Sequence, residues 1–160
     1  MYLEKIKKRL LSGREIEDIV ENFDWKQFEE IIEEVFDTNG FKVHRNFRFK
    51  TKKRYEMDLI AVKNEKALCV DCKKWRGGRN KKGGLKVAAG KQKERARQFL
   101  KFLKNNPIAQ AKLGLKSEFS AYPLIVTLLQ EDLVEEDGVF FIPLWKLNLF
   151  LIEIEKYLNF

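Results

Sequence analysis

Apolar residues recur every three to four positions along the N-terminal part of the chain, the spacing of a buried helical face. A first helical region, broken at Ser12-Gly13, occupies residues 1–23, and we expect it to pack on the following domain rather than to bind a partner. A second helix is predicted to begin at Asp24, where Asp24 and Gln27 form a capping-box pattern, and to end at Asn39-Gly40. Its buried stripe is predicted to hold Trp25, Phe28, Ile32, Val35 and Phe36.

Two apolar runs in the middle of the chain each carry a carboxylate. Residues 57–62 include Asp58, residues 67–73 include Asp71, and the polar segment between them has the length of an antiparallel hairpin turn. Because side chains alternate along a strand, Cys69, Asp71 and Lys73 are predicted to share one face. If Asp58 lies beside them, two carboxylates and an ammonium group meet at the end of the hairpin, which suits a divalent cation and a phosphate.

Apolar patterns predict three more strands and two more helices. The strands are residues 41–50, which have a basic side, 122–129 and 138–143, and the helices are residues 87–103 and 144–158. Residues 51–54 are a predicted turn, and residues 76–84 are a predicted basic loop directly after Lys73. We therefore expect an α/β fold, with a mixed central sheet of about five strands flanked by helices and the candidate site at one sheet edge.

The length of 160 residues suits one domain, residues 24–160, with residues 1–23 as its helical extension. No stretch approaches the ~18 consecutive apolar residues of a membrane span, and the charged N-terminus is unlike a signal peptide, so we expect a soluble cytoplasmic protein. Cys69 and Cys72 form a C-x-x-C pattern, but they fall on opposite strand faces, and His44 is the single histidine. We expect buried cysteines rather than a zinc site, and a surface His44.

Positive charge is concentrated around the two carboxylates. The whole chain carries a net charge of +8, whereas residues 42–97 contain twenty Lys and Arg against five Asp and Glu, a net +15, which leaves −7 for the rest. Such segregation is typical of a surface that meets a phosphodiester backbone, and a solvated lysine-rich face is the alternative. A P-loop is not indicated, because the glycine pairs at 77–78 and 83–84 lack the required G-x-x-x-x-G-K-[ST] order.

The order of these features resembles the restriction-endonuclease-like PD-(D/E)xK nuclease superfamily, and within it the Mrr-type branch and its archaeal relatives. The similar features are a helix with Glu29, a hairpin strand with Asp58, then Asp71-Cys72-Lys73 at a strand end, followed by Lys74-Trp75. The middle acid is Glu in most of that branch and is Asp71 here, which shortens the side chain by one methylene. The resemblance implies a restriction-endonuclease-like core.

The resemblance also implies a catalytic site of Asp58, Asp71, Lys73 and Glu29. Asp58 and Asp71 would hold Mg²⁺ or Mn²⁺, Lys73 would orient or help deprotonate the attacking water or stabilise the transition state, and Glu29 would assist through a metal-bound water. Glu29 is the acid of its helix nearest the buried stripe, whereas Glu30 points outward. The expected contacts with nucleic acid are Arg54, Lys74, Arg76, Arg79, Lys81, Lys82, Lys91 and Gln92.

The predicted function is cleavage of DNA, double-stranded or branched, by a metal-dependent nuclease, acting as a monomer or a homodimer. Two alternatives remain open: a non-catalytic nucleic-acid-binding module on the same fold, and a metal-free RNA endonuclease. The usual His, Tyr and Lys set of the second alternative is poorly served by one histidine. The combination of Asp58, Asp71 and Lys73 favours the enzyme, because a pure binder gains nothing from acids that face phosphates.

Overall fold

The fold is described from a computed structural model that covers residues 2–74, 82–116, 118–128, 131 and 134–160, without the side chains of Glu17 and Lys82. The helices are α1 Tyr2–Leu11, α2 Ile16–Val20, α3 Trp25–Thr38, α4 Lys82–Lys104, α5 Pro107–Leu113 and α6 Leu144–Ile152, followed by a 3-10 turn at Ile154–Lys156. The strands are β1 Lys42–Lys50, β2 Arg54–Lys63, β3 Lys66–Lys73, β4 Ser120–Thr127, β5 Glu135–Glu136 and β6 Val139–Pro143.

The strands form one mixed sheet in the order β1-β2-β3-β4-β6-β5. Strands β1, β2 and β3 are antiparallel neighbours, β3, β4 and β6 run parallel, and β5 returns antiparallel to β6. The predicted α/β class and mixed sheet are confirmed, and the sheet has six described strands rather than about five. The additional strand is β5, whose two residues are too few to show an alternating pattern.

Helices cover both faces of the sheet. On one face, α2, α3 and α6 bury an apolar cluster that includes Phe28, Ile32, Leu59, Val70 and Leu124, which we call the α3 cluster. On the other face, α4 and α5 bury a cluster that includes Phe47, Phe49, Met57, Ile60 and Phe99, which we call the α4 cluster. Removal of these side chains from water is the main stabilising term of the fold.

The N-terminal part of α3 confirms its predicted cap and corrects its predicted stripe. The Asp24 side chain accepts a hydrogen bond from the Gln27 amide at 2.8 Å, and Gln27 Oε1 accepts one from the Asp24 amide at 3.0 Å. Trp25 is 44% exposed, however, and Ile31 takes its place at 1% exposure. Residues 28, 31, 32 and 35 are the ones spaced for a common buried face, and Trp25 lies on the first turn, edge-on to Phe28.

Residues of the N-terminal extension pack unevenly. Ile19, Val20 and Phe23 are buried in the α3 cluster, and Tyr2, Leu3 and Ile6 of α1 pack partly against it. Leu10 and Leu11, which share the apolar spacing of α1, are 41% and 81% exposed because the Ser12-Gly13 break turns the chain away before they are covered.

Three predicted boundaries are wrong. Helix α4 begins at Lys82, so Gly83 and Gly84 are helical rather than part of a loop, because packing of Leu85 and Ala89 against the sheet outweighs glycine's poor helix propensity. Strand β2 starts at Arg54 inside the predicted turn, and α6 ends at Ile152. The apolar pattern does not predict helix α5. Among the described residues, no helix has the length and apolarity to cross a bilayer.

Candidate active site

Strand β2 changes the face of its side chains at Asp58. Leu59 packs in the α3 cluster, as strict alternation with Ile60 in the α4 cluster requires. Met57 should then join Leu59, but it packs in the α4 cluster. Asn46 of β1 lies at the level of Asp58, between the register pairs Arg45–Leu59 and Phe47–Met57, and its φ of 50° is in the left-handed region. The two strands therefore twist together at this level, and Asp58 stands at the twist.

The same twist explains why the prediction of one shared face for the apolar residues of β1 is wrong. Phe41, Val43, Phe47 and Phe49 all lie at odd positions, which predicts one shared face. Phe41 and Val43 instead pack on the α3 cluster, while Phe47 and Phe49 belong to the α4 cluster. Regular alternation thus holds on each side of Asn46 and is broken at Asn46.

Strands β2 and β3 separate next to Asp58. Their last register pair is Leu59 with Val70, and Asp58 Oδ2 then accepts a hydrogen bond from the Cys72 amide at 2.9 Å. This point lies between the second and third strands of the sheet order, so the predicted position at a sheet edge is wrong. It lies at the carboxyl end of β3, which runs parallel to β4, the end at which open α/β sheets bind ligands.

The Asp58 carboxyl lies in an environment that opposes its ionisation. Burial, with smaller contributions from the charges of Asp71 and Glu29 and a hydrogen bond with Asp71, raises its pKa from the ordinary 3.8 to about 6. The hydrogen bond from the Cys72 amide acts in the opposite direction and is outweighed. Asp58 and Asp71 therefore lie close enough for the charge of one to oppose ionisation of the other, in a partly dry site.

Asp71 is 6% exposed and is met by cations on two sides. Lys73 Nζ lies 3.1 Å from Asp71 Oδ2, on the same side of β3 as alternation predicts, and an Arg95 guanidinium nitrogen lies 3.5 Å from Oδ1. The Lys73 contact is an ion pair without hydrogen-bond geometry, because Oδ2 is buried and accepts no hydrogen bond from the described residues. One oxygen of Asp71 is thus buried without a hydrogen bond from the described residues.

Glu29 points inward from α3, as its predicted position at the stripe requires, and is 8% exposed. Its Oε2 accepts a hydrogen bond from Arg45 at 3.2 Å, and the other guanidinium nitrogen of Arg45 is 3.5 Å from Glu33. Glu30 is paired instead with Lys26 along the helix at 3.8 Å. In this structure the Glu29 carboxylate is therefore held by Arg45 beside the Asp58 site.

The predicted nucleic-acid contacts have different environments. Arg54 and Lys91 are exposed, and Lys74 is half-buried with its Nζ donating to the Phe23 carbonyl. Gln92 is fully buried, and its Nε2 donates to the Cys69 carbonyl at 2.7 Å, so its prediction as a DNA contact is wrong. The remaining predicted contacts lie outside the described residues: Arg76, Arg79, Lys81 and the side chain of Lys82.

Sequence reasoning missed the two arginines that hold the acids. Arg95 lies one helical turn after Gln92, and its guanidinium donates to Gln92 Oε1 at 3.2 Å while it pairs with Asp71. Arg45 belonged to the basic side predicted for β1, but nothing in its spacing indicated Glu29 as its partner. Only the crossing of α3 over β1 and of α4 over β3 brings these pairs together.

The cysteines and the histidine are buried to different degrees. Cys69 and Cys72 are free, 0% and 2% exposed, and lie in opposite clusters, so the prediction that they pack as small apolar groups is confirmed. Burial raises the pKa of the Cys72 thiol well above its ordinary range. His44 is half-buried rather than on the surface, and burial lowers its pKa.

The donor set fits a small divalent cation. Carboxylate oxygens are the ligands that Mg²⁺ and Mn²⁺ prefer, and Asp58 and Asp71 bring two carboxylates close together, with one buried Asp71 oxygen that accepts no hydrogen bond from the described residues. The described residues contain no group of three or more His, Cys, Asp or Glu side chains arranged as a metal site. The chain would thus supply two ligands and leave the other positions to water and a phosphate, as is usual for Mg²⁺.

Comparison with known proteins shows the family to which this chain belongs. An uncharacterized protein of Archaeoglobus fulgidus is 27% identical over 135 residues, which are 84% of this chain and 94% of that protein. The crystal structure of protein VC1899 from Vibrio cholerae aligns with 83% of this chain at 14% identity and a TM-score of 0.41, and this chain spans 32% of it. Residues 20–111, which include Glu29, Asp58, Asp71 and Lys73, match the model of the Mrr_cat family, described as Restriction endonuclease. With more than half of its length in that match, this chain belongs to the restriction endonuclease family.

Proposed function

We propose that this chain is a metal-dependent endonuclease that hydrolyses phosphodiester bonds in DNA, with Asp58, Asp71 and Lys73 as its catalytic residues. Membership in the restriction endonuclease family indicates nuclease activity. The observation that carries the finer proposal is the geometry around the two carboxylates: Asp58 accepts a hydrogen bond from the Cys72 amide, next to Asp71, and the Lys73 ammonium lies 3.1 Å from Asp71. Two neighbouring, partly buried carboxylates lower the stability of the fold unless a metal ion neutralises them, which favours a catalytic role for them.

Asp58 and Asp71 would hold Mg²⁺ or Mn²⁺, which when bound supplies a Lewis acid that activates water and neutralises charge at the scissile phosphate. The Cys72 amide fixes the orientation of the Asp58 carboxylate. Lys73 would then donate a hydrogen bond to the attacking water or to a phosphate oxygen on which negative charge develops. An Arg95 guanidinium nitrogen lies 3.5 Å from the other oxygen of Asp71 and offsets part of the negative charge of the site.

Glu29 would take part from a greater distance. Its charge contributes to the raised pKa of Asp58, so the two groups interact, but its carboxylate is bound to Arg45. We propose that Glu29 orients water at the edge of the site rather than binding the cation directly. Loss of its charge would then reduce the reaction without abolishing it.

DNA is the proposed substrate because the catalytic group lies inside the net +15 segment of the chain. The direct test is incubation of the purified chain with duplex DNA, branched DNA and RNA, each with Mg²⁺, with Mn²⁺ and with EDTA. Cleavage of DNA in either metal and none in EDTA is the expected result. Cleavage that persists in EDTA, or that is confined to RNA, contradicts the proposal, and DNA binding without cleavage in any metal favours the non-catalytic module.

A further inference from the structure

The hairpin between β1 and β2 extends past the candidate site and ends in a cluster of cations. Lys50 and Arg54 are register partners at the ends of the two strands, and Lys52 and Lys53 lie between them. All four side chains are exposed, and we call them the basic tip. Within the described part of the chain, none of the four forms an ion pair, and Lys53 lies over the Tyr55 ring at 5.2 Å.

The basic tip is unfavourable for the isolated fold. Like charges directly opposite each other in an antiparallel pair repel, and Lys50 faces Arg54 in this way. One register step inward from Lys50 and Arg54, Phe49 and Tyr55 stack at 5.2 Å, and one step further inward, Arg48 and Glu56 form an ion pair at 2.8 Å. The hairpin thus places favourable pairs along its length and an unfavourable one at its end, which indicates an anionic partner for the tip.

The hairpin is also held in a fixed direction. Thr51 Oγ1 donates to Gln98 Oε1 of α4 at 2.7 Å, and Gln98, which is 5% exposed, donates to Glu94 at 2.9 Å. Phe49 packs on Phe99 with ring centroids 5.5 Å apart. One face of the hairpin is therefore fixed to the helix that also carries Arg95, so the tip and the candidate site keep a constant separation.

We propose that the basic tip is a second DNA-binding surface, which contacts the backbone of duplex DNA away from the scissile phosphate. The choice of DNA as the partner rests on the proposed function. Arg54 lies four residues from Asp58, about 13 Å along a strand, and base pairs in duplex DNA are spaced about 3.4 Å apart. The tip would thus meet phosphates about four base pairs from the site, on one side only.

Phosphates of DNA fit this surface better than a lipid headgroup layer does. Insertion at a membrane interface uses exposed apolar side chains beside the cations. The large apolar residues exposed in the described structure include none between residues 44 and 57, since Phe47, Phe49 and Tyr55 face α4. The tip therefore presents cations without an exposed large apolar side chain beside them, which suits contact with a phosphate backbone.

The test compares two triple variants that remove the same charges. The tip variant is Lys50→Ala, Lys52→Ala and Arg54→Ala, and the control is Lys7→Ala, Lys8→Ala and Arg9→Ala on α1, where these residues are also exposed. Binding of a duplex DNA to the full chain is measured in EDTA over a range of salt concentrations. Each phosphate contact contributes about 0.9 to the log–log slope, so the tip variant should lose about 2 to 3 from the slope and the control little.

Two further measurements separate charge and position from folding. A variant with Lys50→Arg, Lys52→Arg and Arg54→Lys keeps the charges and should keep the wild-type slope, which an effect on folding would not restore. Hydroxyl-radical footprinting should show that the tip variant loses protection at one end of the protected region while the control does not. Equal slopes for wild type and tip variant, or equal losses in tip variant and control, would overturn the second surface.

The outcome also distinguishes this inference from the proposed hydrolysis. Tip-dependent binding without cleavage in any metal supports the surface and removes only the nuclease chemistry. Cleavage by a tip variant whose salt slope is unchanged removes the surface and leaves the nuclease. A wild-type chain that binds no DNA at low salt contradicts both.

Discussion

The part of β2 that pairs with β3, residues 59–63, has a left-handed asparagine next to each of its ends. At the turn end, Asn64 and Glu65 have φ values of 51° and 61°, and the register pair Lys63 and Lys66 closes a two-residue hairpin. At the open end, Asn46 of the neighbouring strand β1 has a φ of 50° at the level of Asp58, and there β2 and β3 separate. Asn64 thus lies in the turn that joins β2 to β3, and Asn46 lies at the level where β2 and β3 separate.

The charged groups differ in the same way. At the turn, Glu65 accepts a hydrogen bond from the Lys116 amide at 2.7 Å, and Lys66 donates to the Asn159 carbonyl at 2.9 Å, both at an exposed position. At the open end, Asp71 and Lys73 are paired inside the structure beside a second carboxylate. The turn end is arranged for stability, whereas the open end collects charges that a stable fold alone would avoid.

The largest effect is expected from the acid and lysine at the open end. Asp71→Ala and Lys73→Ala should each reduce DNA cleavage by about 10²- to 10⁴-fold, because each removes a group that acts on charge in the transition state. The turn end supplies matched controls, since Glu65→Ala and Lys66→Ala remove the same kinds of side chain from the same strand pair. Initial rates in Mg²⁺ measure the effect, and a fully active Asp71→Ala enzyme would show that the carboxylate pair is not the site.

A smaller effect should separate the two asparagines. A β-branched residue at a left-handed φ costs roughly 1–2 kcal/mol, so Asn46→Val and Asn64→Val should lower the free energy of unfolding by similar amounts. Asn46→Val should also shift Asp58 and weaken the response to Mn²⁺, whereas Asn64→Val should not. Asn46→Gly accepts the same backbone and should restore both properties. Denaturant unfolding with and without Mn²⁺ is the measurement, and equal Mn²⁺ responses in the two valine variants would contradict a role for Asn46 at the site.

Asn46 and Asn64 also show which features of the fold can be predicted from the sequence. The hairpin turn at 63–66 follows from a polar interruption between two apolar runs, and the Asp24 cap follows from its local pattern, because both depend on neighbouring residues only. The twist at Asn46 has no such signal, since Phe47 and Phe49 continue the odd-numbered spacing and look like an uninterrupted strand. The face that each half of β1 covers is decided by α3 and α4, which are distant in sequence.

The candidate site also contains one part that the local sequence predicts and another that depends on the packing of distant elements. Asp71 and Lys73 lie on one strand, so alternation alone places them on the same side. The pairing of Arg45 with Glu29 and of Arg95 with Asp71 joins elements 16 and 24 residues apart and depends on helix crossing angles. The burial of Gln92 likewise depends on α4 lying over β2 and β3, where the Met57 sulfur and the Cys69 carbonyl meet its amide.

The smallest effect is expected for the helix acids. Glu29→Gln keeps the size of the side chain but removes the charge that Arg45 and Asp58 experience, so we expect a few-fold lower turnover or a higher Mg²⁺ requirement. Glu30→Gln is the matched control, because Glu30 pairs with Lys26 on the outer side of the helix at 3.8 Å and is screened from the site. Equal Mg²⁺ titrations for the two variants would show that Glu29 serves only the ion pair with Arg45.

We infer, as the central claim, that Asp58 and Asp71 lie close together because a divalent cation belongs beside them. The raised pKa of Asp58, about 6, means that its ionised form costs stability above that pH, and that the cost disappears as the pH falls toward 3.8. Asp58→Asn keeps an acceptor for the Cys72 amide without the charge. In EDTA at pH 7.5 this variant should therefore melt a few degrees above wild type, and the gain should vanish near pH 4.

The most direct measurement is the melting temperature of wild type and Asp58→Asn at pH 7.5, in EDTA and in Mn²⁺. We expect Mn²⁺ to raise the melting temperature of wild type and to leave that of Asp58→Asn nearly unchanged, because a ligand that binds only the folded state stabilises it by RT ln(1 + [L]/Kd), which is small when binding is weak. An equal rise in both proteins, or an Asp58→Asn protein that is less stable than wild type in EDTA, would contradict the claim.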